Sequence, residues 1–134
     1  CQYRHDHIKM VPQSNEEIRF DEAMAMVATE IAMTRHCGVL ECVILQWEQC
    51  LIKVEKIWLM HLYVIGTGGV IIHSLNPQGI LKAGNFNEQD PVHLKPVSPK
   101  FLVDKTYILS AMGLLAQDYP NLAVRIMKKY LVEV

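Results

Sequence analysis

In the stretch LYVIGTGGVIIHS, residues 62–74, three glycines fall within four positions between two strongly apolar runs. Glycine permits φ > 0 without steric cost. It also removes the side chain, so backbone N–H groups can come within reach of a ligand oxygen or a flat ring. Gly66, Thr67, Gly68 and Gly69 are therefore candidate contacts for a nucleotide or an anion, with Thr67 adding a hydroxyl and a helix beginning just beyond the turn. Two familiar phosphate-binding patterns are excluded. A dinucleotide fingerprint requires a third glycine where Ile71 stands, and a P-loop requires Gly-Lys-Ser/Thr, whereas the next lysine is Lys82. Spacing alone leaves two readings open, a ligand-binding turn and a tight structural turn.

Other residues with chemical potential are less well placed. His5-Asp6-His7 could ligate a metal, but no further His or acid completes the shell by any pattern, and a loose tail explains the alternation equally well. His61 and His73 flank the glycine turn and could approach a ligand, although a hydrogen-bonded interior role is the simpler expectation. No Gly-x-Ser-x-Gly elbow presents a nucleophile, so neither a Ser-His-Asp nor a Cys-His arrangement can be assembled. Cys1, Cys37, Cys42 and Cys50 lack paired zinc spacing and read as reduced thiols, with Cys37 and Cys42 able to approach across Gly38. Trp47 and Trp58 lack the interleaved basic residues of a single-strand platform and read as packing residues.

These residues must be positioned by the surrounding elements. Residues 1–13 read as a loosely ordered lead-in. Ser14 with Glu17 forms a capping-box pattern. The helix that follows, to about Cys37, carries Phe20, Met24, Val27 and Ile31 on a stripe expected to face a core, and Gly38 stands where a left-handed cap would end it. Three apolar runs come next, over 39–45, 50–54 and 60–65. The first two are expected as a hairpin around 46–49, the third as a strand covered on both faces. After the glycines a helix begins near Val70. Asn76-Pro77 caps another, which Gly84 ends. Residues 85–100, with Pro91, Pro96 and Pro99, read as a surface loop. Asp104 is expected to cap a helix bearing Ile108, Ala111, Met112 and Leu115, with Gly113 against a neighbouring backbone. Pro120 opens a last helix with Leu122, Ile126, Met127 and Tyr130 inward. The pattern is α/β, in one domain spanning 1–134.

Composition narrows the function further. Of the 134 residues, 51% are hydrophobic and 20% charged, which favours a packed core over disorder. A formal charge of −1 lacks the basic excess of a nucleic-acid binder. Residues 57–81 contain no Asp, Glu, Lys or Arg, but Gly66, Gly68, Gly69, Asn76-Pro77 and Gly79 interrupt the run, so it reads as strand, turn and short helix instead of a membrane span. No signal peptide is visible, and a cytoplasmic location is expected. The chain opens on Cys1, so it reads as processed or as a piece of something longer.

YVIGTGGVIIHS, then NPQGIL, DPVHLKP and FLVDKTYILSAMGLLAQDYPNLAVRIMKK, resembles the C-terminal region of the accessory proteins of adenosylcobalamin-dependent glutamate (methylaspartate) mutase. The upstream EIAMTRHCGVLE is similar too, so the resemblance covers about 20–130. That family resembles the actin, heat-shock-70 and sugar-kinase ATPases, which implies a lobe of RNase-H-like fold with a short sheet and covering helices. It also implies a role for this chain as the nucleotide-binding part of an ATP-dependent chaperone that reactivates a cobalamin-dependent mutase, with Gly66, Thr67, Gly68 and Gly69 against adenosine. The implied cofactor is ATP, with Mg²⁺ held through a phosphate-binding first lobe. That lobe's Asp-Gly-rich hairpin is missing here, so this chain alone is not expected to hydrolyse ATP. The family's Gly-Lys-Asp-Leu-like turn is replaced by Glu55-Lys56-Ile57-Trp58. The implied partners are the mutase subunits, and the sequence leaves a homo-oligomer open. The alternative is a noncatalytic interaction or dimerisation domain whose glycine turn is purely structural. A metal-dependent enzyme using His5 and His7 is a third possibility.

Overall fold

The computed structural model describes residues 2–45, 48–54 and 62–134, and gives the backbone alone for 42–45 and 48–54. Trp47, Trp58, His61 and the segment 55–58 lie outside the described residues, as does the Cys42 side chain. In chain order the elements are α1 (Gln2–Asp6), α2 (Asn15–His36), β1 (Val39–Leu45), β2 (Glu48–Val54), β3 (Tyr63–Gly66), α3 (Gly69–Ile72), α4 (Pro77–Lys82), β4 (Lys100–Asp104), α5 (Leu109–Leu115), α6 (Pro120–Tyr130) and β5 (Leu131–Glu133). The expected α/β class is what forms: β1 and β2 make an antiparallel hairpin, and β3, β4 and β5 a second sheet in that order. β3 and β4 are parallel, with Gly66 opposite Val103. Such a pairing needs a long crossover, which α3, α4 and the segment after them supply.

The local signals explain most starts. Ser14 Oγ accepts from Glu17 N at 3.2 Å, and the Glu17 carboxylate reaches back to Gln13 N at 2.6 Å. Asn76 Oδ1 accepts from Gly79 N at 2.9 Å, with Pro77 in the first turn of α4. The core lies beneath one face of the second sheet, where Leu81, Phe101 and Val103 are buried with Val64, Ile71 and Ile72 against them.

Several expectations are corrected. The stripe on α2 faces outward: Phe20, Met24, Val27 and Ile31 are 39–55% exposed. The helix instead turns in the face bearing Ile18, Glu22, Met26, Thr29 and Met33, because one turn of it is committed to a polar tie through Glu22. Tyr63 and Ile65 are exposed, so β3 is covered on one face only. The lead-in contains α1, bound to α2 by Arg4 Nε on Asp21 Oδ1 at 2.9 Å. Gly38 is not left-handed; it is buried and its carbonyl accepts from Leu94 N at 2.8 Å. The 85–100 loop is partly interior, with Leu94, Lys95, Pro96 and Pro99 buried. No described residue comes within 4 Å of the Cβ position of Gly113. Leu122 and Tyr130 of α6 are exposed, and the buried residue of that helix is Ala123.

Candidate functional site

The glycine turn stands at the C-terminal end of β3, beside the C-terminal end of β4. In open α/β sheets this is the end at which ligands collect. Its glycines do three different jobs. A Cβ on Gly66 would lie 2.8 Å from Leu81 Cδ2 and 3.1 Å from Ile71 Cγ2, so Gly66 lets the core close over the strand end. Gly68 has φ 104° and ψ 152°, a region open to glycine alone, and no described residue comes within 4 Å of its Cβ position. Gly69 needs glycine on neither ground: among the described residues a Cβ there would meet only Tyr107 Oη, at 3.5 Å. Thr67 is exposed at the tip.

Beside this turn lies a groove of about 440 Å³. Gly69, Val70 and His73 form one side, Tyr107 another, and Ile18, Asp21 and Glu22 of α2 the floor; Met10, Val11 and Pro12 complete it from the α1–α2 linker. Of the four predicted residues, only Gly69 lines the groove. Gly66 turns to the core. His73, expected in the interior, is exposed on the groove's lining. A smaller hollow of about 290 Å³ between α1 and α2 involves Tyr3, Arg4, Glu16, Glu17 and Phe20, and none of the strand-end residues reaches it.

Two buried carboxylates hold the groove's frame. Glu22 Oε1 accepts from Ser74 Oγ at 2.6 Å, Leu75 N at 2.6 Å and Asn76 N at 3.1 Å, tying α2 to the α3–α4 connection. The Ser74 hydroxyl chiefly, with the Asn76 and Leu75 amides, holds the Glu22 carboxyl below its ordinary 4.5 against the upward push of burial. Asp104 is 1% exposed, and its two oxygens accept from Ile108 N and Leu109 N, each at 3.0 Å. Asp104, expected as the cap residue of α5, closes β4 instead, with Ile108 at the N-cap position; its side chain reaches the first amides of the helix from outside it and fixes the 105–108 turn. Within that turn Tyr107 has φ 53°, the one positive φ outside glycine among the described residues.

The remaining candidates lie elsewhere. His7 stacks on Tyr3 with Nδ1 2.9 Å from the Tyr3 carbonyl oxygen. Among the described residues no three His, Cys, Asp or Glu side chains converge as metal ligands would. Cys37 is buried, and desolvation pushes its thiol up despite nearby Lys95. Asp90 joins His93 Nδ1 at 2.7 Å and Lys95 Nζ at 3.6 Å, pinning the 85–100 loop; the His93 hydrogen bond chiefly lowers its carboxyl. Among the described residues no helix is long and apolar enough to cross a membrane. Sequence reasoning missed Tyr107, Glu22 and the Met10, Val11 and Pro12 wall. None carried a signal in the sequence, since Glu22 stands out only once the structure shows which face of α2 turns inward.

A family model described as MutL protein matches residues 1–131. Over all 134 residues the chain is 59% identical to Protein MutL of Clostridium tetanomorphum, and it spans 29% of that protein's length. No solved structure matches significantly. With the model matched along nearly the whole chain and this identity to a curated relative, the chain belongs to the MutL protein family.

Proposed function

We propose that this chain is the nucleotide-binding part of an ATP-dependent reactivating chaperone for a cobalamin-dependent mutase, built as an RNase-H-like lobe of the actin type. The groove beside Gly69 takes the adenosine portion of ATP. Phosphates and Mg²⁺ are held by the first lobe of the longer protein, since neither Lys nor Arg lines this groove among the described residues. ATP supplies the free-energy difference between two lobe arrangements, and the arrangement favoured by ATP opens the mutase so that damaged cobalamin leaves. Support comes from the ordered motifs that resemble mutase accessory proteins, and from membership of the MutL family.

The observation that carries the reading is Gly69. Neither backbone conformation nor packing requires a glycine there, and the missing side chain leaves the strand-end groove open. The alternative, an interaction domain with a purely structural glycine turn, accounts for Gly66 but gives Gly69 and the left-handed Tyr107 no role.

The test uses a full-length family protein with its mutase. Gly69→Val fills the groove from a position where the fold has room. ATP-dependent recovery of an inactivated mutase is expected to fall at least ten-fold while the folded state is retained. Undiminished recovery would place the nucleotide elsewhere, and recovery without ATP would remove the chaperone reading altogether.

A further inference from the structure

We propose that Tyr107 is the base-recognition residue of the groove: its ring is the face on which a purine stacks, so the groove selects a nucleoside by its flat base and not by phosphate. The inference rests on the nucleotide reading above and adds the residue and the ligand moiety.

The first support is conformational. A left-handed backbone costs a residue with a Cβ about 1–2 kcal/mol, and such strain persists where surrounding structure over-determines it. Asp104 does so here. Its carboxylate fixes the amides of Ile108 and Leu109, and its carbonyl accepts from Tyr107 N at 3.4 Å, which closes the turn. Glycine or asparagine would relieve the strain, yet the position holds a large aromatic ring. That ring gains little from the protein core, because Tyr107 is 52% exposed. It lines the groove, with Oη 3.5 Å from the place a Cβ on Gly69 would occupy. An exposed ring held at an energetic cost beside a side-chain-free turn is arranged for a partner outside the chain.

The second support is the charge and shape of the other walls. Met10, Val11, Pro12, Ile18 and Val70 are apolar, and a flat heterocycle suits such walls opposite a ring. Among the described residues the charged groups on the lining are Asp21, paired with Arg4, and Glu22, which offer a phosphate no cation there and can accept from an exocyclic amine or a ribose hydroxyl. Asp21 Oδ1 is engaged by Arg4 and Glu22 Oε1 by the Ser74 tie, and among the described residues no hydrogen bond is seen to the second oxygen of either. A volume of about 440 Å³ admits a nucleoside without its phosphates.

The experiment is a calorimetric titration of the full chain with adenosine, ATP and ribose 5-phosphate, repeated for Tyr107→Phe, Tyr107→Ala and Tyr107→Gly, with a thermal melt of each variant. The wild type is expected to bind adenosine at least as tightly as ATP and not to bind ribose 5-phosphate. Tyr107→Phe should bind like the wild type. Tyr107→Ala should bind about ten-fold more weakly, the usual loss when a stacking ring is removed. Tyr107→Gly should melt no lower than the wild type yet bind as weakly as Tyr107→Ala, which separates recognition from folding. Adenosine binding unchanged in Tyr107→Ala and Tyr107→Gly would overturn the role of Tyr107 and leave the nucleotide reading standing. ATP bound more than ten-fold tighter than adenosine would overturn the base-selective groove. A wild type that binds neither ligand would defeat the nucleotide reading and this inference with it.

Discussion

Replacing Glu22 by alanine should loosen the groove more than any other single change on α2. Its Oε1 receives three hydrogen bonds, two of them at 2.6 Å, and together they fix the α3–α4 connection against α2. A hydrogen bond to a charged acceptor contributes about 1.5–3 kcal/mol, and bonds sharing one acceptor are not additive. Leu75 is 65% exposed, so its amide can recover water when the carboxylate is gone. The net cost of Glu22→Ala is therefore about 2–3 kcal/mol, roughly a 6–12 °C drop in melting temperature for a chain of this size. Glu22→Gln keeps the shape and one acceptor but loses the charge, and should cost about half as much. The pH dependence fixes the sign independently. Because the folded carboxyl lies below 4.5, its stabilisation is complete above that pH and is lost as pH falls through the lower folded value. Thermal melts from pH 7 down to 3 should show the wild type approaching Glu22→Gln only in the acid range. A gap between the two that is constant at every pH, or a Glu22→Ala chain that melts within 2 °C of wild type at pH 7, would refute the tie as an energetic element.

The glycine turn gives a series with distinct outcomes. Gly66→Ala should cost about 1–3 kcal/mol in chemical denaturation, because its Cβ meets core Leu81 at 2.8 Å. Gly68→Ala should cost a similar amount, about 1–3 kcal/mol, through backbone strain at φ 104° with no clash. Gly69→Ala should leave stability within about 0.5 kcal/mol, as expected of a surface substitution. Asp104→Ala leaves the amides of Ile108 and Leu109 without their acceptor and should cost about 1–3 kcal/mol. Its hydrogen-exchange protection should fall first in α5 and in the turn that holds Tyr107.

Short-range grammar was legible in the sequence. Ser14, Asn76-Pro77 and Asp104 each act on amides within five residues, so their signals sit beside their effects. The hairpin and the strand ending in Gly66 followed from β-branched runs and their turn residues. What sequence could not show was which face of an element finds a partner. On α2 the apolar stripe and the packed face are different faces, because the packed one is set by a glutamate whose hydrogen-bond donors lie more than fifty residues away. The 85–100 loop looked exposed from its prolines, but backbone bonds from Leu40 N to Val92 O and from Leu94 N to Gly38 O draw it inward. At the site, glycine spacing identified the turn but not the division of labour among its glycines. Tyr107 left no trace in composition or periodicity, since a left-handed tyrosine is a product of the turn that Asp104 closes.

The central claim is that the space beside the glycine turn receives a purine nucleoside, and an amide chemical-shift titration of the labelled chain with a non-hydrolysable ATP analogue tests it most directly. The account predicts saturable, concerted shifts confined to the amides of Thr67, Gly68, Gly69, Val70 and Tyr107 and to those of Met10 and Val11 across the groove. Shifts confined to other surfaces, or none at millimolar nucleotide, would contradict it.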